Sequence, residues 1–161
     1  MEITARRIVA VFKDVSERFL PFSPWCHNSA LMASILIVDD DPTVGITFAR
    51  MLEGEGHSVT RVETASDGLS HLEATAPDAV ILDMRMPLTG GLDFLRQMRQ
   101  DGRLSRLPVG IVTGDYFLKE DVLAELTRLG ASVRYKPLWM DDLRDLTQAL
   151  LDGDPISAGQ V

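Results

Sequence analysis

The sequence has a single cysteine and no long apolar run. Because Cys26 is the only cysteine among 161 residues, no disulfide can form within the chain, and an oxidising compartment is not implied. The longest apolar run near the N-terminus, IVAVF at residues 8–12, is too short for a signal-peptide core or a membrane span. We therefore expect a cytoplasmic protein with no membrane partner.

Positive charge and histidine are also scarce. The formal net charge is −8 at pH 7, so long-range electrostatics do not draw the chain to nucleic acid, and we expect no nucleic-acid partner. The three histidines, His27, His57 and His71, lack ligand spacing, which argues against a structural zinc site. Gly90 and Gly91 have no phosphate-loop lysine after them, so they indicate a turn.

The remaining composition is that of an ordinary globular domain. Hydrophobic residues make up 45% of the chain and charged residues 25%. A chain of this length can bury one sizeable core and still carry extra segments. We therefore look for one domain with extensions.

Residues 1–33 form a predicted N-terminal extension. Apolar residues at helical spacing between Ile8 and Phe19 suggest an amphipathic helix, and a linker follows from Pro21. Such a helix could bind a partner or a membrane surface. We favour the simpler interpretation of an appendage or an upstream extension of the reading frame, because a start at Met32 would leave the following domain complete.

From residue 34 to residue 151, short apolar runs alternate with helical patterns. The predicted strands are Ile35–Val38, His57–Val62, Ala79–Leu82, Pro108–Val112 and Val133–Tyr135. The predicted helices are Pro42–Glu55, Ser66–Ala74, Leu92–Asp101, Phe117–Leu129 and Trp139–Leu151, followed by a polar tail at 152–161. Five such units predict a parallel sheet covered by helices on both faces, with the second strand near an edge.

Polar side chains follow four of these strands. The segment ILIVDDDP carries Asp39 and Asp40 after the first strand, Asp83 follows the third, Thr113 the fourth and Lys136 the fifth. Because the carboxyl ends of parallel strands meet at one edge of the sheet, we expect all five side chains at that edge.

Three carboxylates at one edge need a compensating charge. Two unit charges about 4 Å apart repel by roughly 4 kcal/mol at an effective dielectric near 20. A divalent cation and the Lys136 ammonium would together cancel three negative charges. Oxygen-only ligands suit Mg²⁺, and a carboxylate beside it can act as a nucleophile toward phosphorus. Each of these polar residues alone is weak evidence for such a site, but their occurrence in order at the ends of the strands is specific.

The motifs ILIVDDDP, VILDMRMPLTGGLDFL, VGIVTGD and YKP resemble the receiver domain of bacterial two-component response regulators. The resemblance covers Ser34 to about Leu151, and the steps of 30 and 53 residues from Asp83 to Thr113 and Lys136 also fit. It implies a flavodoxin-like, doubly wound (βα)5 three-layer α/β sandwich with strand order 2-1-3-4-5. It also implies a histidine kinase or phosphotransfer protein as phosphodonor and an unknown downstream protein as target.

The resemblance also assigns a role to each matching position. Asp83 would accept the phosphoryl group and also ligate Mg²⁺. Asp40 would bind the metal directly, Asp39 largely through water, and the backbone carbonyl of Arg85 would add a ligand. Thr113 would move to a phosphoryl oxygen.

Two further positions belong to this assignment. Lys136 would bind a phosphoryl oxygen, and its bond to Pro137 would be cis, which is far less costly before proline than elsewhere. We interpret Asp41 as the cap of the first helix.

Two departures from the family pattern stand out. Receiver domains usually carry an aromatic ring three residues before the lysine, where this chain has Val133. Tyr135 follows on the same strand face, so we expect activation to change residues 114–119, or Tyr135, more than Val133. Arg85 and Asp115 occupy the positions that tune loss of the phosphoryl group in the family.

Two alternatives remain open. A haloacid-dehalogenase-like phosphatase also uses an aspartate nucleophile with Mg²⁺, but it needs a second aspartate where this chain has Arg85. The second alternative is a receiver-like scaffold that is never phosphorylated. We favour a stand-alone receiver that is a monomer or weak homodimer. We expect it not to be an enzyme, apart from self-catalysed phosphotransfer and slow autodephosphorylation.

Overall fold

Five β-strands alternate with five α-helices in the computed structural model, which describes residues 32–153. The predicted N-terminal helix and most of the polar tail lie outside these residues. The strands are β1 Ser34–Val38, β2 Ser58–Val62, β3 Ala79–Asp83, β4 Val109–Thr113 and β5 Ala131–Tyr135. The helices are α1 Pro42–Gly54, α2 Ala65–Ala74, α3 Gly91–Gln100, α4 Glu120–Arg128 and α5 Met140–Asp152.

The strands form one parallel sheet in the order β2-β1-β3-β4-β5, so the expected fold class and strand order are confirmed. β2 is an edge strand, as its polar side predicted. The register places Val38 opposite Leu82, and Asp83 opposite Val112. The carboxyl ends of the three central strands therefore meet at one edge of the sheet.

Two apolar layers cover the sheet, because successive residues of a strand point to opposite faces. Leu36, Val80 and Ile111 belong to the core that includes α2, α3 and α4. Ile37 and Ile81 belong to the core formed with α1 and α5. β3 and β4 are buried along their whole length, which explains why their sequences lack polar alternation.

The termini of α1 follow local sequence signals. The Asp41 carboxylate accepts hydrogen bonds from the amides of Thr43 and Val44 at 2.8 and 3.4 Å, so the predicted cap is confirmed. Gly56 follows the helix with φ of 96°, a conformation that favours glycine. The cap fixes the position at which the chain leaves β1 and therefore the placement of Asp39 and Asp40.

The predicted start of the fourth helix at Phe117 is wrong. α4 begins at Glu120, because Lys119 has the extended backbone of a capping residue, with φ of −64° and ψ of 149°. Upstream, the Asp115 carboxylate accepts the Phe117 amide at 3.0 Å, which favours a turn over helix. Residues 114–119 are therefore a loop that borders the carboxyl end of β4.

The Lys136–Pro137 peptide bond is cis, as predicted. None of the helices found between residues 32 and 153 has both the length and the apolar character needed to cross a lipid bilayer.

Candidate functional site

Asp39, Asp83 and Lys136 meet at the carboxyl edge of the sheet. The Lys136 ammonium donates to Asp83 Oδ1 at 2.7 Å and to Asp39 Oδ2 at 2.9 Å. Both carboxylates are buried, whereas the lysine side chain is partly exposed. One ammonium therefore serves two carboxyl groups.

The electrostatics of the trio reflect its burial. Burial raises the pKa of the Asp39 carboxyl, and the hydrogen bond from Lys136 offsets only part of that increase. Burial alone would lower the pKa of the Lys136 ammonium, but its hydrogen bonds to Asp83 and Asp39 outweigh burial and raise it. Lys136 therefore keeps its charge at neutral pH.

The second oxygen of Asp83 is held by the backbone. Asp83 Oδ2 accepts the amide of Arg85 at 2.5 Å, so each carboxylate oxygen of Asp83 has one donor. The Arg85 guanidinium points away and donates to Asp115 Oδ2 at 2.5 Å. This hydrogen bond lowers the pKa of Asp115 and keeps it ionised. The ion pair links the loop after β3 to the loop after β4.

Thr113 lies at the end of β4, on the strand next to Asp83, and is buried. Its Oγ1 accepts the amide of Asp115 at 3.0 Å, and its backbone carbonyl accepts the amide of Lys136 at 2.7 Å. The hydroxyl proton of Thr113 is not engaged in that contact and can be donated to another acceptor.

Asp40 is exposed beside the trio. No hydrogen bond or ion pair of its carboxylate is found among residues 32–153, whereas Asp39 Oδ1 accepts the amide of Asp41 at 2.9 Å. The structure thus brings together Asp39, Asp83 and Lys136 directly. It places Asp40 and Thr113 at the same edge, and no side-chain hydrogen bond from either to the trio is found among residues 32–153.

The oxygen atoms at the carboxyl edge of the sheet could bind Mg²⁺ only if water molecules supplied the remaining ligands. Across the described part of the chain, no three side chains of histidine, cysteine, aspartate or glutamate are grouped to hold a metal ion. Mg²⁺ usually keeps several waters and uses one or two carboxylates. The carboxylates of Asp39 and Asp83, which share the Lys136 ammonium, supply that number, and exposed Asp40 follows Asp39 directly in the chain. The chemistry of these donors is therefore compatible with the metal.

The site contains one close approach that the sequence pattern does not reveal. A Cβ built on Gly91 would lie 2.5 Å from the carbonyl oxygen of Asp83 and 3.0 Å from Cα of Met84. Gly90 has room, since its nearest neighbour, the carbonyl oxygen of Met84, would be 3.6 Å away. The glycine pair indicated a turn, but only the structure shows that its second member lets α3 begin against the backbone of Asp83.

Comparison with known proteins identifies relatives of the chain. A family model described as response regulator receiver domain matches residues 35–148. Protein PilH of Pseudomonas aeruginosa is 43% identical over 82 residues, which cover 51% of this chain and 68% of that protein. Response regulator MprA of Mycolicibacterium vanbaalenii is 34% identical over 117 residues, covering 73% of this chain and 49% of MprA. The chain thus spans about half the length of that relative.

Solved structures agree with the fold. The receiver domain protein from Clostridium thermocellum matches with a TM-score of 0.66 and 28% identity, over 75% of this chain and 95% of that one. The chemotaxis protein CheY4 of Vibrio cholerae matches with a TM-score of 0.69 over 74% of this chain and 99% of that one. At 23% identity, the second match bears on the fold alone.

Proposed function

Because this chain belongs to the response regulator receiver domain family, we propose that it is a phosphorylation-dependent signalling receiver and that Asp83 is its phosphoryl acceptor. A histidine kinase or phosphotransfer protein would be the donor. In the transfer, an Asp83 oxygen forms a bond to phosphorus while the bond between phosphorus and the donor's histidine nitrogen breaks. The observation that carries the proposal is the pair of donors, Lys136 Nζ and the Arg85 amide, on the two oxygens of Asp83.

The neighbours of Asp83 have the charges that this reaction requires. Phosphoryl transfer depends on positioning and on stabilisation of the charge on the phosphoryl oxygens. The Lys136 ammonium lies 2.7 Å from Asp83 Oδ1, so it is close enough to donate a hydrogen bond to an oxygen of a phosphoryl group attached there. We assign the hydroxyl of Thr113 as the donor to a second phosphoryl oxygen, because its proton is available at the end of the adjacent strand.

We also propose that the site uses Mg²⁺, held by Asp39, Asp40, Asp83 and the backbone carbonyl of Arg85, with water completing the shell. When bound, the metal supplies positive charge next to the transferred group. Asp39 and Asp83 share one ammonium, so the lysine alone can balance the charge of only one carboxylate, and a bound cation would balance the other. Exposed Asp40 can turn toward the metal without losing a hydrogen bond within the described residues.

Substitution of Asp40 separates metal binding from helix capping. Asp40→Ala is expected to weaken Mg²⁺ binding, measured by titration calorimetry, because it removes a carboxylate ligand. Asp41→Ala is the matched control: it removes the same group one residue later, where the carboxylate caps α1. The control should lose about 1 kcal/mol of unfolding free energy and keep its Mg²⁺ affinity. Equal Mg²⁺ affinity in wild type and Asp40→Ala would contradict the assignment.

One pair of assays tests the proposed function against the phosphatase alternative. With Mg²⁺ and acetyl phosphate, the protein should gain one phosphoryl group, seen as about 80 Da by intact-mass spectrometry. With p-nitrophenyl phosphate, it should show no steady turnover, because Arg85 stands two residues after Asp83 and is paired with Asp115. Steady release of p-nitrophenol would favour the phosphatase. The absence of any adduct would favour a scaffold that is never phosphorylated.

A further inference from the structure

An apolar groove lies between α1 and the segment that follows β5. Its volume is about 360 Å³, which is comparable with the volume of known binding pockets. The groove is lined by Thr43, Val44, Thr47 and Phe48 of α1 and by residues 136–138, and most of its surface is apolar. It therefore extends from the first turns of α1 to Lys136, the residue that carries the ammonium of the candidate site.

A large exposed side chain follows the groove directly in the chain. Trp139 comes after the lining residue Leu138, and 72% of it is exposed. Trp139 also occupies the capping position before α5, where short side chains that accept a hydrogen bond are preferred, whereas an indole can only donate one. The folding of α5 therefore does not explain this tryptophan. Binding would explain it, since tryptophan is among the residues enriched at the energetic centres of interfaces.

Exposed carboxylates stand at the start of both helices that flank the groove. They precede α1 and occupy the first turn of α5, and they are Asp40, Asp41, Asp141 and Asp142. The neighbouring cations are already paired, Lys136 with two carboxyl groups and Arg144 with Asp141 and Glu55. A second copy of the chain would bring like charges against this border, which disfavours self-association through the groove. The occupant that fits is an apolar segment with basic side chains.

One segment of the chain has this composition. Residues 8–19 contain the apolar residues whose spacing is helical, Ile8, Val11, Val15 and Phe19. The basic residues in and next to this segment are Arg6, Arg7, Lys13 and Arg18. With four basic and three acidic side chains, residues 1–31 carry a net charge of +1, so the rest of the chain carries −9. The charges of the two parts are therefore complementary.

The segment is also tethered within reach of the groove. The described chain begins at Met32, close to the start of β1, and α1 begins beyond the other end of that strand. A strand of five residues is about 17 Å long. Residues 20–31 can span up to about 40 Å, so their length allows residues 8–19 to reach the groove.

We propose that residues 8–19 dock in the groove of their own chain, so that their apolar side chains cover Trp139 and their basic side chains lie near the exposed aspartates. This proposal goes beyond the phosphoryl-acceptor function and does not depend on it. The docked segment covers the side of the site on which Lys136 lies. If residues 1–33 are instead a simple appendage, Trp139 is exposed whatever their sequence.

The fluorescence of Trp139 tests the docking in the full-length chain. The sequence contains two tryptophans, so Trp25→Phe leaves Trp139 as the only indole. In this background, Val11→Asp places a charge among the apolar residues of the segment. Quenching of Trp139 by acrylamide should then increase about twofold, because releasing a segment that is docked for half of the time doubles the exposure of the indole.

Ala10→Asp is the matched control, because it adds the same charge one residue earlier, outside the apolar spacing. Less than half of the increase is expected in this variant. Equal quenching with and without Val11→Asp would overturn the proposal and leave residues 1–33 as an appendage. An equal increase in the control would overturn it as well, because the effect would then not depend on the apolar residues.

A substitution in the groove tests where the segment docks. Thr47 is exposed and lines the groove, so Thr47→Arg should place a long cationic side chain there and increase quenching of Trp139 as Val11→Asp does. The double variant should show no further increase, because both changes release the same contact. Additive increases would place the segment elsewhere, and an effect of Val11→Asp that disappears on dilution would assign the groove to a second copy. Either result would overturn the proposal, whereas failure of the protein to accept a phosphoryl group would overturn only the proposed function.

Discussion

Asp83→Asn is expected to abolish phosphorylation by acetyl phosphate in the presence of Mg²⁺. The amide nitrogen and oxygen of asparagine are poor nucleophiles, so the substitution replaces the carboxylate that would bond to phosphorus with a group that cannot do so. The labelled fraction, measured by intact-mass spectrometry, should fall from nearly complete to background. The fold should persist, because asparagine has almost the shape of aspartate and Lys136 keeps its contact with Asp39.

Asp41→Asn is the matched control for this substitution. It removes the same charge near the same edge, but asparagine caps helices as well as aspartate does, so α1 should be retained. This variant should be labelled to the wild-type extent. Undiminished labelling of Asp83→Asn, with the adduct mapped to another residue, would refute the assignment of the acceptor.

Gly91→Ala is expected to destabilise the protein and to slow phosphorylation together. The new methyl group would meet the carbonyl oxygen of Asp83 at 2.5 Å, and backbone atoms cannot yield as the end of a flexible side chain can. Overpacking of this kind costs about 1–3 kcal/mol, partly offset by the better helix propensity of alanine. Relief of the clash must move either α3 or the end of β3. We therefore expect a lower denaturation midpoint in urea and a lower rate with acetyl phosphate.

Gly90→Ala distinguishes this close approach from a general need for glycine in the turn. Its backbone has φ of −67°, which alanine adopts readily, and its Cβ would make an ordinary contact at 3.6 Å. Because Gly90 precedes α3 as its capping residue, a loss of no more than about 1 kcal/mol is expected. If both variants unfolded at the same urea concentration, the contact with Asp83 would not be what requires glycine at position 91.

Much of the fold could be predicted from the sequence because its signals are local. Unbroken apolar runs such as AVIL can only be buried on both faces, and alternation with helical patterns then requires a parallel sheet. A polar residue directly after such a run must lie at the carboxyl edge of that sheet. The position of Asp83, Thr113 and Lys136 at one edge follows from this reasoning alone, whereas the functional roles given to them are still predictions.

The helix that follows β4 shows where local signals fail. The apolar spacing after Phe117 predicted a helix from that residue, but α4 begins at Glu120. Asp115 accepts the Phe117 amide, and its other oxygen binds Arg85 from a different loop. The turn that precedes the helix is therefore held both by a local hydrogen bond and by an ion pair between residues 30 positions apart, and apolar spacing reveals neither.

The sequence by itself determined the order of the elements, the edge at which the polar residues gather and the cap at Asp41, because each depends on periodicity or on adjacent residues. Only the tertiary structure decided that one ammonium serves both Asp39 and Asp83, that Gly91 meets the backbone of Asp83, and that Tyr116 reaches Lys136. These contacts join segments that are distant along the chain. Their distances are set by how helices and loops pack over the sheet, a property of the whole fold.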